Sequence, residues 1–176
     1  QKDEKKGLYY VQQEKKRLYF RKSTPPKKIQ KYYRALSMEQ DKRSPHHYFD
    51  SVKDVTGKVF VDIGCAEGYS SLEIVEEAKH IYLFEQDEQW LEAIRATFEP
   101  WQDKVTIIQK HVSDHNSSRE QTLDDFFNNQ TDEHLFLKMD IEGAERHALT
   151  GCKNLFQNCQ KLDFAICTYH LRDDEE

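Results

Sequence analysis

With 176 residues and 37% hydrophobic content, the chain is long enough for one domain with a true core and too short for two comfortable ones. No run approaches the roughly 18 to 20 uninterrupted apolar residues of a membrane span, and Gln1 to Lys6 are charged rather than a signal-peptide apolar run, so a cytoplasmic protein is expected. The net charge of −6 is unevenly spread, because residues 1–34 hold 12 of the 26 Lys and Arg against only three acids.

Such a basic arm beside an acidic body reads either as a nucleic-acid footprint or as an extension that folds back on the body. The arm lacks an RNA-module signature and its aromatics alternate with polar residues, so folding back is the expectation and nucleic acid is not an expected partner. Gly7 to Gln12 and Arg17 to Lys22 form two aromatic-rich runs around a polar turn, a predicted hairpin. Pro25-Pro26 is expected to break regular structure, and Ile29, Tyr32, Tyr33 and Leu36 then mark one face of a helix from Lys28 to about Gln40. Ser44-Pro45 ends it, ahead of the aromatic His46-His47-Tyr48-Phe49. Residues 1–50 are thus read as a basic extension, and 51–176 as the main domain.

From Val59 onward, strand and helix signals alternate, the pattern of βαβ units on a parallel sheet. Strands are predicted at Val59 to Ile63, Ile81 to Phe84, Val105 to Gln109, Leu135 to Met139 and Leu162 to Thr168. Helices are predicted at Ser70 to Ala78, Asp87 to Thr97, Leu123 to Phe127 and Ala144 to Leu149. The fold class is α/β, a doubly wound Rossmann-like sheet with helices on both faces. The acidic run Asp173 to Glu176 reads as the opening of a further helix, so the domain is expected to continue beyond it. The four cysteines, Cys65, Cys152, Cys159 and Cys167, lack a zinc-type spacing and read as reduced thiols.

In open α/β sheets, ligands sit beyond the carboxyl ends of the strands, so the residues following each strand carry the chemistry. The first strand ends in Asp62-Ile63-Gly64-Cys65-Ala66-Glu67-Gly68. A dinucleotide turn adds a third glycine so that a pyrophosphate can press against bare backbone, and here Ala66 stands where the second glycine would be. S-adenosylmethionine carries an adenosine and an amino acid but no phosphate, which suits a turn of this kind; Asp62 can face its ammonium group. Glu85, about 20 residues further on, is placed to accept both ribose hydroxyls, or else only to cap the helix starting at Asp87. Lys110 to Asp114 form a polar strand end of the kind that could lie along an adenine edge, although His111 alone is more often a satisfied surface histidine.

The densest cluster follows the fourth strand, where Asp140, Glu142 and Glu145 lie within six residues. Their mutual repulsion is expected to raise at least one pKa and so create a general base, with His170 pointing into the same mouth. The trio could instead hold a hard divalent ion, or serve only as acids at a helix N-terminus; no metal is assigned.

At these residues the chain resembles the FkbM family of S-adenosylmethionine-dependent methyltransferases. Asp62 to Ser70 (DIGCAEGYS) looks like the family's cofactor turn, Phe84 to Asp87 (FEQD) its ribose motif, and Leu137 to Glu145 (LKMDIEGAE) its hallmark segment. The resemblance spans about residues 58–174. It implies cofactor contacts from Asp62, Gly64, Cys65, Ala66, Gly68, Tyr69, Ser70, Glu85, Gln86, His111, Val112 and Asp140, with Asp140, Glu142 and His170 as catalytic residues. Ala66 and Gln86 stand where the family has Asn and Pro, so no side-chain contact is carried over at either position. The stretch from Asp114 to Thr122 is short, which suggests a missing strand or loop. The implied reaction is methyl transfer to a hydroxyl oxygen on a sugar, glycan or natural-product-like small molecule. Two rivals from other classes are a nicotinamide-dependent oxidoreductase and a non-catalytic module that binds RNA or an acidic partner through the arm; an RNA methyltransferase lies between them.

Overall fold

A computed structural model describes residues 1–128, 131–168 and 170. The chain opens with β1 (Lys2–Asp3), β2 (Leu8–Gln13) and β3 (Lys16–Phe20), an antiparallel three-stranded sheet in the order β1-β2-β3. The two-residue turn Glu14-Lys15 holds Glu14 at φ 53°, the left-handed conformation that tight hairpins demand. Helix α1 (Pro26–Glu39) begins on the proline pair, a correction to the expected break. Proline has no N–H to leave unsatisfied and a fixed φ that suits a first helical turn.

The remaining elements are β4 (Val59–Ile63), α2 (Tyr69–Ile74), β5 (His80–Phe84), α3 (Glu88–Phe98), β6 (Val105–Ile108), β7 (His111–Val112), β8 (Glu120–Gln121), α4 (Leu123–Phe126), β9 (Leu135–Met139), α5 (Glu145–Thr150), α6 (Lys153–Asn158) and β10 (Leu162–Ile166). Five of the strands make one parallel sheet in the order β10-β9-β4-β5-β6. β4 and β9 are buried at every position, as their near-continuous apolar sequences require at the centre of a covered sheet. Strand order reverses between them, which makes the gap beyond their carboxyl ends the switch point of the sheet.

The period-two alternation of β4 separates two cores. Val59, Val61 and Ile63 join Leu123, Ala148 and Leu155 of α4, α5 and α6 on one face. Phe60 points to the other, among Leu72 of α2, Ile94 and Phe98 of α3, and Leu18 and Phe20 of the hairpin. The hairpin therefore shares a core with the large sheet. Its basic side chains meet acids of α3 and the turn after it, with Lys6 Nζ 2.6 Å from Glu99, Lys22 Nζ 2.7 Å from Glu92 and Arg21 3.4 Å from Asp87.

Short elements escaped the sequence pattern. The stretch from Asp114 to Thr122 is not simply shortened but pairs β7 with β8 in a two-stranded parallel ladder. Gly151 ends α5 as expected, yet α6 follows almost at once. A Cβ on Gly151 would lie 2.0 Å from the Ser113 carbonyl oxygen, so the glycine lets this connection pass against the β7 segment. All four cysteines are free thiols. No helix among the described residues is long and apolar enough to cross a membrane. The expected helix opening at 173–176 lies outside the described residues.

Candidate functional site

The site is built where β4 and β9 end side by side. Their register places Asp62 opposite Lys138, and the two side chains meet on the same face of the sheet with Lys138 Nζ 2.8 Å from Asp62 Oδ1. Both are almost fully buried. Ser71 Oγ donates to the other Asp62 oxygen at 2.6 Å, and Lys138 Nζ also donates to the Gly64 carbonyl at 2.7 Å. Burial disfavours the Lys138 ammonium, but the adjacent Asp62 and Asp140 carboxylates outweigh it and raise its pKa. The acid expected to face a ligand ammonium is thus held by internal partners, although it still borders the cavity described below.

The turn after β4 is set by backbone. Gly64 has φ 78°, and a Cβ there would stand 2.0 Å from the Asp140 carbonyl oxygen, so only glycine lets the two strand ends approach. Ala66 is also left-handed, at φ 46°. Its N–H donates to Glu85 Oε2 at 3.0 Å while the Asp87 N–H donates to Glu85 Oε1 at 2.8 Å, so Glu85 ties the first turn to the second. The cap of α3 is Asp87, whose side chain accepts from the Gln89 N–H at 2.9 Å. Burial pushes Glu85 up, against the pull of those two N–H groups.

These elements enclose a cavity of about 660 Å³, within the usual range of small-ligand sites. Asp62, Gly64, Cys65, Ala66, Tyr69, Ser70, Glu85, Gln86, His111, Val112, Asp140, Glu142 and His170 all border it. Gly68 does not, a correction: its φ of 79° starts α2 and its Cα faces the Phe98 ring, which an added Cβ would approach to 2.7 Å. Carboxylates dominate the lining, seven against the three cations Arg21, Lys110 and Lys138. That balance fits a cationic ligand such as a sulfonium bearing an ammonium group, and opposes a pyrophosphate.

The N-terminal segment supplies one wall of the cavity, which sequence reasoning missed. Tyr32, Leu36 and Tyr48 border it. Tyr32 Oη donates to Glu67 Oε2 at 3.1 Å, and Glu67, only 3% exposed, is pushed by burial up to about 7. Tyr48 Oη donates to Asp140 Oδ2 at 2.6 Å, with Lys138 Nζ 5.1 Å from the centre of its ring. The aromatic His46 to Phe49 run was the available signal for Tyr48; Glu67 had one only in its place within the glycine turn.

At the mouth, the acidic trio is arranged around a histidine rather than against itself. His170 Nδ1 lies 2.9 Å from Glu145 Oε1, and Nε2 lies 3.4 Å from Asp140 Oδ1 and 3.7 Å from Glu142 Oε2. Glu145 is buried and accepts the Ile141 N–H at 3.0 Å, whereas the Glu142 side chain is 89% exposed. Asp140 Oδ1 and Glu145 Oε2 are buried without a hydrogen-bond partner.

A parallel sheet in this order, with helices on both faces and a cavity at its switch point, is a Rossmann-like α/β fold. The methyltransferase FkbM domain family matches residues 61–162, and the chain belongs to that family, whose fold generally uses S-adenosylmethionine. Similar solved structures include an rRNA methylase from Streptococcus thermophilus, at 14% identity and TM-score 0.46, covering 68% of each chain. A precorrin-6y C5,15-methyltransferase from Geobacter metallireducens is similar at 17% identity and TM-score 0.41, over 59% of this chain and 53% of that one. A precorrin-8w decarboxylase from Methanobacterium thermoautotrophicum is similar at 16% identity and TM-score 0.40; this chain spans 48% of its length, with 56% of its own covered. None of the curated proteins matches the chain significantly.

Proposed function

We propose that the chain is an S-adenosylmethionine-dependent O-methyltransferase acting on a hydroxyl of a sugar, glycan or natural-product-like small molecule. The observation that carries this reading is the Asp140 carboxylate at the cavity mouth, which already accepts a hydrogen bond from a hydroxyl, that of Tyr48, at 2.6 Å. A substrate hydroxyl at the same carboxylate is held in the orientation that proton removal needs. On this reading residues 51–176 carry the cofactor and acceptor chemistry, and the N-terminal extension closes the cavity.

S-adenosylmethionine supplies an electrophilic methyl group when bound. Glu85 accepts the ribose hydroxyls; each of its oxygens takes one backbone N–H and keeps a lone pair for this. His111 and Val112 flank the adenine, and the backbone from Gly64 to Ser70 shapes the cradle. Asp140 would orient the acceptor hydroxyl and take its proton, with His170 and Glu142 beside it. Orientation of this kind contributes on the order of 7–11 kcal/mol, and a positioned base a further 10²- to 10⁴-fold, roughly.

The test is a labelled-methyl transfer screen over sugars, glycolipid intermediates and RNA, with calorimetry against S-adenosylmethionine and NAD. Transfer to a small hydroxyl acceptor is expected. Asp140→Asn is expected to lose about 10²- to 10⁴-fold in kcat. Undiminished turnover in that variant removes Asp140 as the base, and transfer to RNA alone replaces the acceptor class.

A further inference from the structure

We propose that Asp140, Glu145 and His170 form a binding site for one divalent transition-metal cation at the mouth of the cavity. One ligand atom from each residue lies within 4.8 Å of the others. Slight side-chain rotation closes that spread around an ion with bonds of about 2.0–2.2 Å.

The hydrogen bonding of the two carboxylates points to the same conclusion. Asp140 has one oxygen held by the Tyr48 hydroxyl, and Glu145 has one held by the Ile141 N–H. The second oxygen of each is buried without a hydrogen bond: Asp140 Oδ1 has only the His170 ring at 3.4 Å, and Glu145, 3% exposed as a residue, leaves its Oε2 unbonded. Burying a carboxylate oxygen without a partner is costly, and a cation between the two satisfies both. Anchoring one oxygen while presenting the other is how outer partners orient metal ligands.

Charge leads the same way. Glu142 Oε2 is 3.7 Å from the His170 ring, so three carboxylates surround one imidazole. The nearest buried ammonium, Lys138, is engaged by Asp62 and the Gly64 carbonyl. Even a protonated His170 leaves the cluster net negative. A mixed imidazole and carboxylate donor set suits Mn²⁺, Fe²⁺ or Zn²⁺ better than the all-oxygen shells of Mg²⁺ and Ca²⁺. The arrangement replaces the all-carboxylate trio suggested by the sequence, because Glu142 turns outward and His170 takes its place.

The binding claim stands on geometry alone, and the use of the ion rests on the methyl-transfer reading: beside the cavity it orients an acceptor hydroxyl and favours its deprotonation. The test titrates Mn²⁺ alone into the chelator-treated full chain and follows the electron paramagnetic resonance signal of free Mn²⁺. One equivalent is expected to bind and to be displaced by Zn²⁺. Glu145→Gln, which keeps an acceptor for Ile141, and His170→Gln are each expected to weaken binding at least about tenfold, no less than loss of an outer-shell partner does. Circular dichroism checks folding; should Glu145→Gln misfold, His170→Gln carries the comparison. Absence of Mn²⁺ uptake, or equal uptake by both variants and the parent, overturns the site and leaves His170 as an ion-pair partner only. Mn²⁺ uptake without methyl transfer to any acceptor keeps the metal site and sinks the methyl-transfer reading. Transfer by a chain that takes up no metal does the reverse.

Discussion

Two buried charged residues show how single side chains carry this site. Lys138 stands between Asp62 and the Gly64 carbonyl, so its removal strands a carboxylate that is 1% exposed. Lys138→Met is expected to cost about 3–5 kcal/mol in urea unfolding, and adding Asp62→Asn should recover most of that. Equal losses in the single and double variants would show that the ion pair is not the source. Glu67 behaves oppositely because burial outweighs the pull of the Tyr32 hydroxyl and of Lys138. Burial raises it from an ordinary value of 4.5 to about 7, so the folded chain holds this proton more tightly than the unfolded chain. Its contribution is therefore complete below pH 4.5 and declines as pH rises to about 7, by on the order of 3 kcal/mol. Glu67→Gln should flatten that decline and melt above the parent at pH 8; an unchanged pH profile would contradict this.

At the scale of elements, the turn between β4 and α2 combines two demands. Gly64 is required by the close approach of the Asp140 carbonyl, whereas Ala66 adopts φ 46° with no side-chain help. Asparagine tolerates this conformation better than alanine, and a left-handed non-glycine residue costs roughly 1–2 kcal/mol. Ala66→Asn is expected to raise stability by about 0.5–1 kcal/mol in thermal or urea unfolding. A loss would mean that the new side chain clashes within the cavity. The central strands β4, β5 and β9 were legible because each carries a near-continuous apolar run, and α3 because an acidic first turn opens an amphipathic segment. β7, β8 and α6 were not, since two-residue strands and a six-residue helix are held by neighbours rather than by their own pattern.

At the scale of the whole molecule, the hairpin and the large sheet share one core. Leu18 is fully buried within it, and the Tyr19 N–H donates to Thr97 of α3 at 3.0 Å. Leu18→Ala is expected to cost about 2–5 kcal/mol. Trp90 and Trp101 lie on or just after α3, so their fluorescence and far-UV circular dichroism should shift together in that variant. Separate transitions would show that the hairpin unfolds on its own. The basic excess of residues 1–34 that raised nucleic acid as a rival is in part engaged by Glu92, Glu99 and Asp87.

The parallel sheet, the glycine turn, Glu85 and the Asp140 segment were determined by local sequence, because βα units and their turns are written in contiguous residues. The tertiary structure alone decided that Tyr32 and Tyr48 wall the cavity and that Lys138 neutralises Asp62, and it set how His170, expected at the same mouth, contacts Asp140, Glu142 and Glu145. Tyr48 and Asp140 are 92 residues apart, and His170 and Glu145 are 25 apart. No periodicity encodes such pairs; sheet register and the shared core bring them together.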